Sequence, residues 1–211
     1  MNQPSLAHSA PRSLEQQRDE FTRRRFLAMP LAGTLAWALI GLVGWLGTPF
    51  QAVMTLYFGT GSIFYLGVFL SRFTGENLLS RNKDKNEFDR LFLSAMLMSL
   101  AVFAIALPWA SQDHQSLPLT VGILAGLMWL PFSWIIQHWI GAFHAIARTL
   151  LLVAAWYAFP GQRFMLIPAL IVGLYIITIV VLERRWRRVN GMASALSAAR
   201  QTSAPASCET A

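Results

Sequence analysis

The chain has 211 residues, of which only 13% are charged, and its mean hydropathy is +0.46. Roughly a quarter of the residues in a soluble domain are charged, so this composition excludes an ordinary soluble protein. The formal charge of +7 does not indicate nucleic-acid binding, because the basic residues form short blocks between long uncharged runs.

The first long apolar stretch contains no charged residue and no histidine. It covers residues 26–71, which is more than twice the ~20 residues that cross a bilayer. Gly47, Thr48 and Pro49 form a turn signal in its middle. We therefore predict two membrane spans here, at residues 26–46 and 50–71.

Four more apolar runs follow along the chain. They predict further spans at residues 91–110, 119–136, 140–159 and 164–182. In lipid, a helix satisfies every backbone hydrogen bond within its own segment. The predicted fold class is therefore all-α, a polytopic membrane helical bundle with about six transmembrane helices.

The basic residues predict the orientation, because Lys and Arg in short loops stay on the cytoplasmic side. With the amino terminus inside, sixteen of the seventeen basic residues lie on the inner side or in the half of a span next to it, and only Arg163 lies outside. We predict a multi-pass protein of the cytoplasmic (inner) membrane with both termini inside. Residues 1–22 and 189–211 read as mobile cytoplasmic tails around a domain at 23–188.

Gly122 and Gly126 form a GxxxG pattern in the fourth predicted span. Such a pair lets two helix backbones approach closely. The contact is either within one chain or between two chains, so a homo-oligomer through these glycines is one interpretation and intramolecular packing is the other.

A polar stripe follows in the fifth span, formed by Gln137, Gly141, His144 and Arg148. Their i, i+4, i+7 and i+11 spacing places them on one face of a helix. Only eleven uncharged residues, 149–159, follow Arg148, so the arginine is drawn into the membrane. It lies about 12 Å from Ile140 along a helix that rises about 1.5 Å per residue.

None of the ten acidic residues lies in a predicted span, so Arg148 has no buried carboxylate as a partner. One interpretation is that Arg148 extends to the inner interface along its apolar stem. The other is a site facing the bundle interior for an anionic small molecule, a lipid headgroup or a proton-linked group. The predicted ligand-binding residues are His144, Arg148, Gln137, Tyr57 and Tyr65, and the hydroxyls of Thr60 and Tyr175 are further candidate partners for Arg148.

Sequence signals for other chemistry are absent. There is no HExxH, no glycine-rich phosphate loop, no GxSxG and no pair of carboxylates in a span. The single cysteine, Cys208, excludes a disulfide framework and zinc sites built on cysteine pairs. We predict no catalytic residues, no metal site and no cofactor.

Three segments resemble a family of small bacterial inner-membrane proteins of unknown function. They are residues 60–71, residues 139–148 with His144 and Arg148, and the region around Tyr175. The resemblance covers residues 50–185. It implies a compact helical bundle and a role for His144 and Arg148, and it supplies no activity.

These observations leave three functional classes. The first is a small transporter or permease-like protein with a polar site on the fifth span. The second is a membrane scaffold or accessory protein that acts through helix packing and basic cytoplasmic loops. The third, a membrane-embedded enzyme, has the least support because no acid and base are paired.

Overall fold

A computed structural model describes residues 12–76 and 86–203 of the chain. All of the regular secondary structure in these residues is helical. The α-helices are α1 (Leu14–Thr22), α2 (Ala28–Leu46), α3 (Pro49–Thr74), α4 (Glu87–Ala101), α5 (Phe103–Gln112), α6 (Leu117–Gly126), α7 (Trp129–Ile135), α8 (Ile140–Ala158) and α9 (Arg163–Ser203). Short 3₁₀ turns, His114–Ser116 and Pro160–Gln162, precede α6 and α9.

Six helical segments in the described part of the chain are long and apolar enough to cross a membrane. The prediction of an all-α bundle with about six spans is confirmed. The first, second, fifth and sixth spans are α2, α3, α8 and the apolar part of α9. The third span combines α4 with α5, and the fourth combines the turn His114–Ser116 with α6 and α7.

The turn predicted between the first two spans is present, and its residues explain its geometry. Pro49 opens α3, where its missing N–H costs nothing. The Thr48 hydroxyl accepts a hydrogen bond from the Gln51 backbone N–H, and Gln51 Oε1 accepts one from the Thr48 N–H. This reciprocal capping box fixes the point at which α3 begins.

The fourth span is interrupted, whereas the sequence predicted a continuous helix over 119–136. A turn at Leu127 and Met128 separates α6 from α7. Pro131 explains the interruption, because it has no N–H to donate to the Leu127 carbonyl four residues earlier. That carbonyl instead accepts from Leu130, three residues on, at 3.0 Å.

The bundle is built around α2, which packs along both α3 and α9, and α8 packs along α6, α7 and α9. Close approach of α2 to α9 depends on Gly44, where a Cβ would lie 2.3 Å from the Phe164 carbonyl oxygen. Large aromatic side chains such as Phe58, Tyr65 and Tyr157 are exposed on the outside. An apolar exterior of this kind suits lipid as the surrounding solvent.

The buried carboxylate of Glu76, just after α3, caps the start of α2. Its Oε1 accepts hydrogen bonds from the backbone N–H groups of Leu27 at 2.7 Å and Ala28 at 3.0 Å. Burial raises the pKa of Glu76, and the two backbone hydrogen bonds oppose that rise. The first span therefore takes its amino-terminal cap from the end of the second.

The segments predicted as mobile tails are partly helical. Residues 14–22 form α1, which docks on the start of α4. There Asn86 Nδ2 donates to the Gln17 carbonyl at 2.8 Å, and the Arg18 guanidinium lies 5.1 Å from the Phe88 ring centre. At the other end α9 continues to Ser203, past the predicted boundary at 189. Residues 1–11 and 204–211 lie outside the described residues.

Candidate functional site

The polar stripe predicted on the fifth span is shorter in the structure. Gly141, His144 and Arg148 share the buried face of α8. Gln137 does not join them, because α8 begins only at Ile140. Gln137 lies in the preceding turn with a φ of 49° and an exposed side chain. A left-handed residue ends the helical register there, so the i, i+4 spacing to Gly141 has no helix to act through.

His144 and Arg148 both point into the bundle. Their exposed fractions are 0% and 1%. This geometry rules out the interpretation in which Arg148 extends to the membrane interface. The pair instead belongs to a buried group that we call the Arg148 cluster, made of Arg148, His144, Tyr175, Thr178, Trp37 and Trp129.

His144 is fixed by a hydroxyl on the sixth span. Its Nδ1 lies 2.8 Å from Thr178 Oγ1, and that hydroxyl donates its single hydrogen to the Leu174 carbonyl at 2.8 Å. Thr178 can therefore only accept from His144, so Nδ1 carries the hydrogen and Nε2 carries the lone pair. The Trp129 ring stacks on the imidazole at a centroid distance of 4.5 Å.

Arg148 is held by aromatic rings. Its guanidinium carbon lies 5.4 Å from the Trp37 ring centre and 5.6 Å from that of Tyr175, within the range of a cation–π contact. Nη1 makes two long contacts of 3.5 Å, to the Tyr175 hydroxyl and to His144 Nε2. Nε is buried without a partner. Within the described residues no carboxylate pairs with Arg148.

Two glycines make room for the Arg148 cluster. A Cβ at Gly126 would lie 2.8 Å from Arg148 Cδ, and a Cβ at Gly33 would lie 2.6 Å from Tyr175 Cζ. Gly126 is also the last residue of α6, whose carboxyl-terminal end carries partial negative charge. The arginine stem thus lies against the end of α6, where the fourth span is interrupted and the local charge favours a cation.

The GxxxG pair packs within the chain. A Cβ at Gly122 would lie 2.6 Å from Leu152 Cδ2, and Gly126 faces Arg148, so both glycines meet α8. Both are buried. A homo-oligomer through these glycines stays a prediction.

Neither tyrosine predicted for the site reaches it. Tyr65 is 74% exposed on the outer surface of α3, and Tyr57 packs against Phe103. The tyrosine in the Arg148 cluster is Tyr175, named above only as a further candidate. Sequence reasoning missed Thr178, Trp37 and Trp129. The available signal for Thr178 was its place one helical turn after Tyr175 in an otherwise apolar run.

The Arg148 cluster is tightly packed, and none of the cavities described below is lined by Arg148 or His144. A small cavity of about 30 Å³ approaches it as far as Trp129. No three His, Cys, Asp or Glu side chains in the described ranges are arranged to hold a metal ion. The Thr178 hydroxyl is already used by His144 and the Leu174 carbonyl, so the polar groups that a ligand could contact are mainly the Arg148 guanidinium, His144 Nε2 and the Tyr175 hydroxyl.

Comparison with protein families gives a match over residues 14–185. This covers more than four fifths of the chain. The protein belongs to the DUF7010 family, a family of unknown function. No curated protein and no solved structure matches the chain.

The DUF7010 match contains every residue of the Arg148 cluster and ends at Arg185, within α9. It extends the resemblance seen in the sequence, which began at residue 50, back to α1. A family of unknown function is what that resemblance implied. Its bacterial and inner-membrane character remains a prediction for this DUF7010 protein.

Proposed function

We propose that this protein is a small transporter-like membrane protein that binds an anionic solute at the Arg148 cluster. The proposal rests on one observation: the Arg148 guanidinium is fully buried, its Nε is unpaired, and it has no carboxylate partner among the described residues. Arginine has five N–H donors in a fork that matches carboxylate and phosphate oxygens. An ionisable residue in this position inside a membrane is a site by default.

The interrupted fourth span supports the transporter class. Transporters commonly place their binding sites near the bilayer midplane, beside helices broken into two halves. Here α6 ends at Gly126 against the Arg148 stem, and Arg148 is eight residues into the nineteen-residue α8. The helix break therefore lies against the arginine near the middle of α8, which is the arrangement that the transporter proposal needs.

His144 supplies a proton-accepting group beside the arginine. Its Nε2 lone pair faces Arg148 Nη1, so protonation of Nε2 adds a second positive charge to the same site. Burial and the neighbouring guanidinium oppose that protonation, and an anion bound beside the two groups would offset the charge of the guanidinium. The proposal therefore includes proton-linked binding.

The rival classes have less support. A scaffold acting through Gly122 and Gly126 would need those glycines on the surface, and α8 of the same chain occupies them. An enzyme would need a second acid or base beside His144. We also propose, from the arginine distribution, that the protein lies in the cytoplasmic membrane of a bacterium with both ends inside.

Anion binding by the purified protein tests the proposal. Thermal unfolding in detergent is followed with chloride, acetate, sulfate and inorganic phosphate, and we expect at least one of them to raise the Tm of the wild type. Arg148→Met should abolish that rise. Its own stability should stay within about 2 kcal/mol of the wild type or exceed it, because it replaces a buried unpaired charge by an apolar chain.

Arg163→Gln is the matched control. Arg163 also lies over an aromatic ring, that of Trp156, and has a buried Nε without a partner, but it is the first residue of α9 and takes no part in the Arg148 cluster. This variant should keep the anion response. The proposal is contradicted if none of the four anions raises Tm, or if Arg148→Met keeps the response.

A further inference from the structure

A second feature of the molecule is a cleft of about 600 Å³ that opens between α3 and α4. We call it the lateral cleft. Its apolar part is lined by Met29, Phe64, Val68, Phe92, Leu93 and Met96. Its volume is in the range of small-molecule sites, about 300–1,000 Å³.

The lateral cleft exists because α3 and α4 pack on different partners. The first lies along α2, whereas α4 packs on α1, α6 and α7, and direct contact between α3 and α4 is slight. Close packing of α3 on α2 depends on Gly67, where a Cβ would lie 2.4 Å from Met29 Sδ. Two consecutive spans therefore diverge and leave an apolar gap on the outer surface of the bundle.

The arginine-rich end of the bundle closes the lateral cleft. Arg23, Arg24, Arg25 and Arg90 line it there, together with the carboxylates of Glu76 and Asp89. Acidic side chains pair with three of these arginines, so the positive charge left at the rim is mainly that of Arg23.

Most rim arginines already have acidic partners. Arg24 pairs with Asp89, and Arg25 pairs with Glu183 at 3.0 Å. Arg90 is largely exposed beside Glu87. Arg23 is exposed and makes no ion pair within the described residues, so its charge is available to a ligand.

We propose that the lateral cleft binds an anionic phospholipid, with its headgroup phosphate at Arg23 and Arg90 and an acyl chain along the apolar lining. A free phosphate would leave the apolar lining unused, and a neutral amphiphile would leave the rim charge unused. Basic pockets between membrane helices on the cytoplasmic side are known sites for acidic lipid headgroups. This site is separate from the Arg148 cluster and does not depend on it.

Lipid retention tests whether the headgroup binds at the arginines of the rim. The full-length protein is reconstituted in vesicles of equal phosphatidylglycerol and phosphatidylcholine, extracted in detergent, and analysed by native mass spectrometry. We expect the wild type to retain phosphatidylglycerol preferentially. Arg23→Gln and Arg90→Gln should each lower that preference by up to about fivefold. Arg184→Gln and Arg188→Gln, at the same end of the bundle but outside the cleft, should leave it unchanged.

A second pair of variants tests whether an acyl chain binds along the apolar lining of the cleft. Val68→Trp fills the apolar lining and should reduce retention, whereas Leu97→Trp, exposed on α4 outside the cleft, should not. Inorganic phosphate should fail to displace the lipid, because it offers nothing to the apolar lining.

The proposal is overturned by equal retention of both lipids, by retention that Val68→Trp leaves intact, or by full displacement with phosphate. Arg148→Met should retain the lipid normally. That variant separates a failure of the lipid site from a failure of the anion site, because each experiment has its own readout.

Discussion

Two aromatic rings and a helix end offset the cost of burying Arg148. Placing an arginine at the middle of a membrane helix costs about 3 kcal/mol on the insertion scale. The cation–π contacts with Trp37 and Tyr175 return about 1–2 kcal/mol each. The partial negative charge at the end of α6 adds to them. The rings and the helix end thus tolerate the arginine without an acidic partner, and its remaining N–H groups stay available.

Thr178 determines which nitrogen of His144 carries the hydrogen. Thr178→Val keeps the shape and removes the acceptor, so the buried Nδ1–H loses its partner. We expect a loss of about 0.5–2 kcal/mol in unfolding free energy, the range for hydrogen bonds between membrane helices. Chemical denaturation in detergent measures the loss, and ¹⁵N spectra of the histidine should show a changed tautomer population.

Thr178→Ser is the control for that prediction, because it keeps the hydroxyl. It should retain the wild-type tautomer. If Thr178→Val also retained the tautomer, the hydrogen bond would not be what orients the ring.

At the scale of helices, glycines decide which side chains fit between spans. Gly126 faces Arg148, and Gly33 faces Tyr175, so two different helix pairs leave space for one cluster. The interruption at Leu127 and Met128 places the end of α6 at the same depth. The Arg148 cluster is therefore a property of several helix contacts together.

Gly126→Ala tests this arrangement. Its Cβ would lie 2.8 Å from Arg148 Cδ and 3.0 Å from Nε, so the arginine must move. We expect a loss of about 1–3 kcal/mol from overpacking, together with loss of the anion-induced rise in Tm. Gly173→Ala, where a Cβ meets nothing within 4 Å, should be neutral or slightly stabilising. A tolerated Gly126→Ala with normal anion binding would contradict the assigned geometry.

The cap between the second and first spans gives a pH-dependent prediction. Burial raises the pKa of Glu76 above 4.5, so the folded state holds its proton to higher pH than the unfolded state does. Stability from this group is greatest below pH 4.5 and falls as pH rises through the folded pKa. Glu76→Gln keeps an acceptor for the Leu27 and Ala28 N–H groups and stays neutral.

Thermal unfolding as a function of pH measures this effect. The wild type and Glu76→Gln should have similar Tm values near pH 4. The variant should gain an advantage as pH rises. A wild type that is the more stable of the two at pH 7 would show that the ionised carboxylate stabilises the cap.

At the scale of the whole molecule, the two ends of the bundle differ in charge. The arginine-rich end is tied together by ordered contacts, such as Arg185 Nη1 donating to the Thr22 carbonyl at 2.9 Å. The opposite end has Arg163 as its basic residue. This asymmetry is the basis for the prediction that both termini lie in the cytoplasm.

Substitutions at two glycines test the orientation. At Gly161 and Gly191 an added Cβ would meet no atom within 4 Å, so a larger side chain fits there. Each is replaced by cysteine in a Cys208→Ser background, and intact cells are treated with a membrane-impermeant thiol reagent. We expect Gly161→Cys to react in intact cells and Gly191→Cys to react only after permeabilisation. The opposite pattern would place the arginine-rich end outside.

The amino-acid sequence by itself determined the number of spans, their approximate limits and the turn at Thr48 and Pro49. These are local properties: a bilayer demands about twenty apolar residues in each crossing, and proline and threonine act within one helical turn. The placement of His144 and Arg148 on one face of α8 also follows from their spacing in the sequence, whereas the direction in which that face points does not.

Only the tertiary structure decided that direction and the partners of the site. Gln137 was lost because a positive φ ends the register before α8, with no glycine to signal it. Tyr175 rather than Tyr57 or Tyr65 joined Arg148 because Gly33 on α2 leaves space for its ring. A contact between spans depends on how helices far apart in the chain approach each other, and the pattern within one span carries no information about that distance.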